Sequence, residues 1–275
     1  MWSLVLHAAN IHHQISREPV GWVIQVAEQD YDSAWREVAA YEAENQNWPP
    51  PSPPVAPMRS DDFGTLFFSV GMVLFFSVTG PWGEQSTWFT QGAVSAEKIL
   101  GAGEWWRLFT GLTLHADAVH LLGNVFFGGL LLYYLSRQLG SGAGWLIALL
   151  SGGVGNALNV WFHHGEHLSV GFSTAVFGMV GAFCGMSWLR RSLTYREFLL
   201  PIGAAAALLA FLGTSGERTD LGAHFWGMAV GIFLGGAASR PAAKRLCDSK
   251  FVQVLLLGLC VGGIGLSWFL AMEKV

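Results

Sequence analysis

Charge is scarce in this chain. Lys, Arg, Asp and Glu make up 12% of its 275 residues, against about 25% in an ordinary soluble domain, and the mean hydropathy is +0.41. The shortage is uneven. Residues 1–62 are polar enough for a soluble module, whereas the rest is a string of apolar runs with short polar breaks. A basic surplus is also missing: 15 Lys and Arg face 19 Asp and Glu, a net charge of -4, so no nucleic-acid partner is expected. Cysteine is limited to Cys184, Cys247 and Cys260, an odd number with two in apolar runs, which excludes a disulfide framework and offers no metal-thiolate motif. Met1 to Asn10 lacks a basic n-region and runs into a polar stretch, so no cleavable signal is expected there. What remains is an all-α polytopic membrane protein with a small N-terminal appendage.

That appendage, residues 1–48, reads as a soluble α+β module. Ile11–Arg17 and Gly21–Ala27 have the pattern of two short strands around a turn at Glu18-Pro19, with Trp22, Ile24 and Val26 on one face of the second. Asp30 to Asn45 has helical spacing at Tyr31, Ala34, Val38 and Tyr41. His12 and His13 are adjacent, so on a strand they point to opposite faces and suit a solvated pair better than a metal site. Residues 49–62, rich in proline, form a stiff extended linker.

Seven spans are expected, at about 63–80, 117–136, 143–162, 171–189, 197–213, 221–238 and 251–271. With the N-terminus cytoplasmic, Arg59, Arg137, Arg190, Arg191, Arg196, Arg240, Lys244, Arg245 and Lys250 flank the spans on that side, and Lys98, Arg107, Arg218 and Lys274 on the other. Nine against four favours an N-in, C-out orientation. The loop from Pro81 to Ala116 carries Trp82, Trp88, Phe89, Trp105, Trp106 and Phe109. It reads either as an aromatic belt or as a loop lying partly in the outer leaflet.

Against this apolar background a few polar side chains stand out. Ser173 opens the run from Gly171 to Leu189, which is about 28 Å long as a helix. His120 and Asn124 fall in the second span and His224 in the sixth. Given the N-in orientation, all four lie at one depth in the outer leaflet. Polar groups are costly there, and three segments sharing that depth imply a water-accessible cavity. A serine needs a base and a site for the developing oxyanion to act as a nucleophile. His224 is the candidate base. Gly227 and Gly231 share its helical face and permit close approach to the small face of the fourth span, Gly171, Ala175, Gly178, Ala182 and Gly185. His120 and Asn124, four residues apart, share a face as candidate oxyanion donors, with the backbone N–H of Ser173 as a third. No acid follows His224 within its span, and Asp220 lies one turn earlier, so a Ser–His dyad is favoured. Phe177, one turn below Ser173, is placed to stack on His224 and orient it.

These residues resemble the rhomboid family of intramembrane serine proteases. Trp106–Asn124 is similar to the family's WR…T…H(x4)H(x3)N block, Gly171-Phe-Ser-Thr174 to its G-x-S-G motif, and Ala223–Gly231 to its A-H-x-x-G-x-x-x-G motif. The order and spacing also match. The resemblance implies a six-helix core over 63–240, here with an additional C-terminal helix in 241–275. It implies a cofactor-free active site open outward that cleaves single-pass or membrane-anchored proteins in or near their transmembrane segment. Ser173 would be the nucleophile, His224 the base, His120 and Asn124 the oxyanion donors, and His115 a loop-fixing residue. Two departures stand out. Thr174 replaces the usual glycine, where a β-branched residue could tighten the oxyanion region. Ser136–Gly140 lacks the acidic residue that often ends the second span.

Two other readings fit the residues. One is a rhomboid-like protein that binds membrane clients without cleaving them. The other is a haem or metal protein using His115, His120 and His224, with the loop cluster His163, His164, Glu166 and His167 as a further weak zinc candidate. The short loops and the N-in count fit a bacterial inner membrane.

Overall fold

The computed structural model describes residues 1–19, 21–46, 48, 63–83, 85–162, 168–188, 203, 207 and 220–274. They divide into two compact units, residues 1–57 and 58–275.

In the first unit, helix α1 (Trp2–Ala8) precedes strands β1 (His13–Glu18) and β2 (Gly21–Val26), which pair antiparallel with Ile15 opposite Ile24. Helix α2 (Tyr31–Glu44) follows. The core is Leu6, Ala34 and Val38, joined by Ile11, Ile24 and Val26. Helix α1 has too few residues to show a period in the sequence, yet it supplies Leu6 to that core and the Trp2 indole N–H to Glu42 at 2.6 Å. Trp22, on the strand face of Ile24 and Val26, is 73% exposed beside the turn, with the Arg17 guanidinium over its ring. One expectation changes here. His13 is half-buried and held by Ser3 Oγ at 2.6 Å and the Ile11 carbonyl at 2.9 Å, so it is not a solvated partner of His12.

The second unit begins with α3 (Phe63–Thr79). A folded connecting segment follows: α4 (Thr87–Gly92), strand β3 (Val94–Ser95), α5 (Ala96–Ala102), α6 (Arg107–Thr110) and a 3-10 turn at Gly111–Thr113. Then come α7 (Ala118–Leu139), α8 (Ser141–Phe162), strand β4 (Leu168–Ser169), α9 (Ser173–Trp188), α10 (Leu221–Ala238), α11 (Pro241–Cys247) and α12 (Lys250–Met272). Helices α7, α8, α10 and α12 are long and apolar enough to cross a membrane, and α3 and α9 are shorter apolar helices. The protein is an integral, multi-pass, all-α membrane protein. Six expected spans coincide with described helices. The fifth, 197–213, lies outside the described residues apart from 203 and 207, and the linker 49–62 and the cluster His163, His164, Glu166 and His167 lie wholly outside them.

Helix α9 is the axis of this unit. It is apolar all round, and nearly every residue from Ser173 to Met186 is buried, as expected of a helix packed on several sides. Its contact with α10 is backbone on backbone. A Cβ on Gly231 would run into the Gly178 carbonyl, and one on Gly181 into the Met228 carbonyl. Small residues on both helices therefore allow an approach that larger ones would forbid.

The connecting segment between α3 and α7 is a small structure of its own. Val94, Ala96, Ile99 and Leu108 pack with Val160 of α8. Arg107 is 1% exposed and braces the segment from within, donating to Glu104 Oε2 at 2.6 Å and to the carbonyls of Ala93 at 2.9 Å and Thr90 at 2.8 Å. A buried guanidinium requires this degree of pairing. Of its aromatics, Phe89 is buried and Trp105 is exposed.

Candidate active site

Strand β4 pairs antiparallel with β3, setting Ser169 opposite Val94. The chain then turns into α9 through Gly171, whose φ is +127° and whose N–H donates to the Gly111 carbonyl at 2.9 Å. Glycine is needed here twice: an L side chain rarely takes that backbone conformation, and a Cβ would lie 2.5 Å from His120 Cε1. The turn delivers Ser173 as the first residue of α9, where backbone N–H groups have no intrahelical acceptor.

His224 approaches from α10. That helix is capped by Asp220, whose carboxylate accepts from the Ala223 N–H at 2.9 Å and from Asn159 Nδ2 of α8 at 2.7 Å. Asp220 is thus engaged with the helix start and with α8. His224 Nε2 lies 2.7 Å from Ser173 Oγ, and both residues are buried. In the tautomer protonated at Nδ1, the serine hydroxyl donates to Nε2. Nδ1 is buried with no hydrogen-bond partner among the described residues. Phe177 stacks on the imidazole with ring centroids 4.4 Å apart and planes 16° from parallel. A serine hydroxyl bonded to an imidazole held at that spot can pass its proton and become nucleophilic.

The other sequence candidates surround this pair. Asp117 caps α7, accepting from the His120 N–H at 2.8 Å. The His120 ring lies against Gly171, two residues before the serine. Asn124 is fully buried, donates from Nδ2 to the His120 carbonyl at 2.9 Å, and leaves Oδ1 unpartnered among the described residues. His115 is fully buried and meets the His120 ring edge-on at 5.3 Å. Gly227 and Gly231 form the close α9–α10 contact. Among the described residues no group of three or more His, Cys, Asp or Glu is arranged to hold a metal ion, so the His115–His120–His224 metal reading finds no geometry behind it.

Thr174 packs where α9 meets α8 and α10. Its methyl points between α8 and α10, where Cβ atoms on Gly155 and Gly227 would lie 3.0 and 2.9 Å from its Cγ2. Two asparagines of α8 escaped the sequence reading. Asn159 holds Asp220, and Asn156 donates to the Leu108 carbonyl at 3.0 Å. The rule that singled out Ser173, that polar groups inside apolar spans are costly and therefore employed, applies equally to them.

The fold and the hydrogen-bonded Ser173–His224 pair define a polytopic helical membrane protein with a candidate serine–histidine site. The family model described as Rhomboid domain matches residues 102–241, and the chain belongs to the rhomboid family. It is 29% identical over 206 residues to Rhomboid protease GluP of Bacillus subtilis, covering 73% of this chain and 39% of that protein. It is 30% identical over 179 residues to Putative rhomboid protease YdcA of the same organism, covering 62% of this chain and 85% of that protein. RHOMBOID-like protein 7 of Arabidopsis thaliana is 37% identical over 155 residues, 54% of this chain and 49% of that protein. The chain thus spans less than half the length of two of these three relatives.

Proposed function

We propose that this protein is an intramembrane serine endopeptidase in which Ser173 and His224 form the catalytic dyad. The observation that carries the reading is the 2.7 Å hydrogen bond between Ser173 Oγ and His224 Nε2 inside the helical unit. Ser173 Oγ attacks the carbonyl carbon of a peptide bond as its proton passes to His224 Nε2. The developing oxyanion is met by the Ser173 N–H and by donors from His120 and Asn124. Collapse breaks the C–N bond, His224 protonates the departing amine, and an acyl-enzyme ester remains on Ser173. Water, deprotonated by His224, then hydrolyses that ester. Phe177 holds the imidazole plane, with no acid on Nδ1 among the described residues. The dyad needs no cofactor.

The substrates are single-pass or otherwise membrane-anchored proteins, cut in or near the transmembrane segment. The chain lies N-in and C-out in a bacterial inner membrane, with residues 1–48 as a cytoplasmic module, 49–62 as linker, 63–240 as the protease core and 241–275 as an additional C-terminal helix. The names of the relatives as proteases and the three ordered motifs support this reading.

The test is labelling of the purified protein in mild detergent by a fluorophosphonate probe. Wild type is expected to label, and Ser173→Ala and His224→Ala are not. Folded wild type that stays unlabelled would instead favour a membrane-client binder without catalysis.

A further inference from the structure

We propose that the C-terminal helix α12 positions the nucleophile loop, acting through the hydrogen bond from Trp268 to Thr113. The proposal rests on the reading of Ser173 as the nucleophile.

Helix α12 is keyed into the second unit at both ends. At its start, Gln253 reaches across to the junction of α7 and α8. Its Nε2 donates to the carbonyls of Leu139 and Cys247, each at 2.8 Å, and its Oε1 accepts from the Ala143 N–H at 3.1 Å. A Cβ on Gly142 would run into the Gln253 carbonyl, so the helices touch through backbone here. This anchor sits where the acidic residue at the end of the second span is missing. It fixes the height of α12, and hence of whatever lies about four turns further along.

At that far end is Trp268. Its ring packs between Phe75 of α3 and Trp88 of α4, with both centroid distances 5.3 Å, and closes over Gly92, where a Cβ would meet the indole. Its Nε1–H donates to Thr113 Oγ1 at 3.0 Å. Thr113 in turn donates that hydroxyl to the Thr110 carbonyl at 2.8 Å. The hydroxyl is thus engaged on both sides, which fixes the 3-10 turn Gly111–Thr113.

The turn touches the nucleophile loop directly. The Gly111 carbonyl takes the N–H of Gly171, two residues before Ser173. Leu112 is fully buried and lies close to Gly152 of α8, beside Ala175 of α9. One rigid three-residue turn therefore carries Trp268 on its last residue and the backbone of the Gly171 bend on its first. The α12 contact nearer the surface cannot do the same work. Lys274 is 3.6 Å from Glu104 Oε1 and lies over the Trp106 ring, but it is half-exposed, and exposed pairs of this kind contribute little.

The experiment measures the rate at which a fluorophosphonate modifies Ser173 in the purified full-length protein, well below its thermal midpoint. Trp268→Phe keeps the ring cluster and removes only the donor, and Thr113→Val removes the acceptor, together with its own donation to the Thr110 carbonyl, at similar volume. Each is expected to slow modification about three- to tenfold, the size of one ordinary hydrogen bond, and the double variant no more than the slower single one. A wild-type rate in either variant, or slowing that multiplies in the double variant, would overturn the proposal. If Trp268→Phe does not fold, Thr113→Val decides alone. If wild type does not label at all, the protease reading fails separately, and hydrogen exchange at the Gly171 amide takes over as the readout. Faster exchange in Trp268→Phe supports positioning, and unchanged exchange refutes it.

Discussion

Phe177 lies flat against His224, with centroids 4.4 Å apart and planes 16° from parallel, one helical turn below the serine that the same imidazole contacts. The ring occupies one face of the histidine and blocks rotation about its side-chain bonds. No described residue partners Nδ1, so the stack and the serine hydroxyl carry the orientation that an acid supplies in a triad. Removing the ring face should misplace the base. An aromatic contact of this kind is worth about 0.5–1.5 kcal/mol, so Phe177→Leu is expected to lower the probe-labelling rate roughly two- to tenfold. Phe177→Tyr keeps the face and should stay near wild type. Equal rates for the Leu variant and wild type would remove Phe177 from the mechanism.

His120 and Asn124 have a different signature. As the proposed oxyanion donors they would meet only the charge that develops after attack, so their loss should reduce turnover more than substrate binding. His120→Ala and Asn124→Ala are each expected to slow peptide cleavage on the order of 10²-fold, with KM nearly unchanged. The measurement is steady-state cleavage of a membrane-anchored reporter in proteoliposomes. Unchanged kcat in both variants would assign the two residues to helix packing instead, a role the Asn124–His120 backbone bond already fits.

The sequence disclosed much of this site because a membrane makes polarity expensive. Ser173, His224, His120 and Asn124 are conspicuous only against apolar runs, and Gly227 and Gly231 only because His224 shares their face. The seam of Gly178 and Gly231 was legible for the same reason: small residues at helical spacing have few other uses in a span. Other features left weaker marks. Helix α1 is too short for periodicity. Trp268 reads as one more interfacial aromatic until Thr113 is seen beside it. Arg107 was read as a topological charge and is also a buried brace, which the sequence did not show, since nothing in its neighbours announces the carbonyls of Thr90 and Ala93. Asn156 and Asn159 were visible but unclaimed, because only the fold shows that their partners are Leu108 and Asp220.

Thr174 tests whether the substitution beside the nucleophile concerns chemistry or packing. Its methyl fills the gap left by Gly155 and Gly227, so it should behave as a core methyl between three helices. Thr174→Ser deletes that methyl and is expected to cost about 1 kcal/mol of stability, read as a lower thermal midpoint in detergent. Thr174→Val keeps the methyl and should hold the midpoint. The reverse ranking would mean that the hydroxyl, not the methyl, is the working group.

The orientation on which the outward-facing site depends has its own test. The basic residues of α11, Lys244 and Arg245, lie on an exposed helix that follows α10, and positively charged flanks of this kind are held on the cytoplasmic side. In that orientation Arg107 still counts toward the opposite side, since a buried, paired guanidinium travels with the segment it braces. In a Cys247→Ser background the remaining cysteines, Cys184 and Cys260, are buried. Single exposed reporters can then be placed at Glu97→Cys in α5 and Ala242→Cys in α11. A membrane-impermeant maleimide should label the first in intact cells and the second only after permeabilisation. The opposite pattern would invert the protein, put Ser173 near the cytoplasmic face, and require its substrates to be cut on that side.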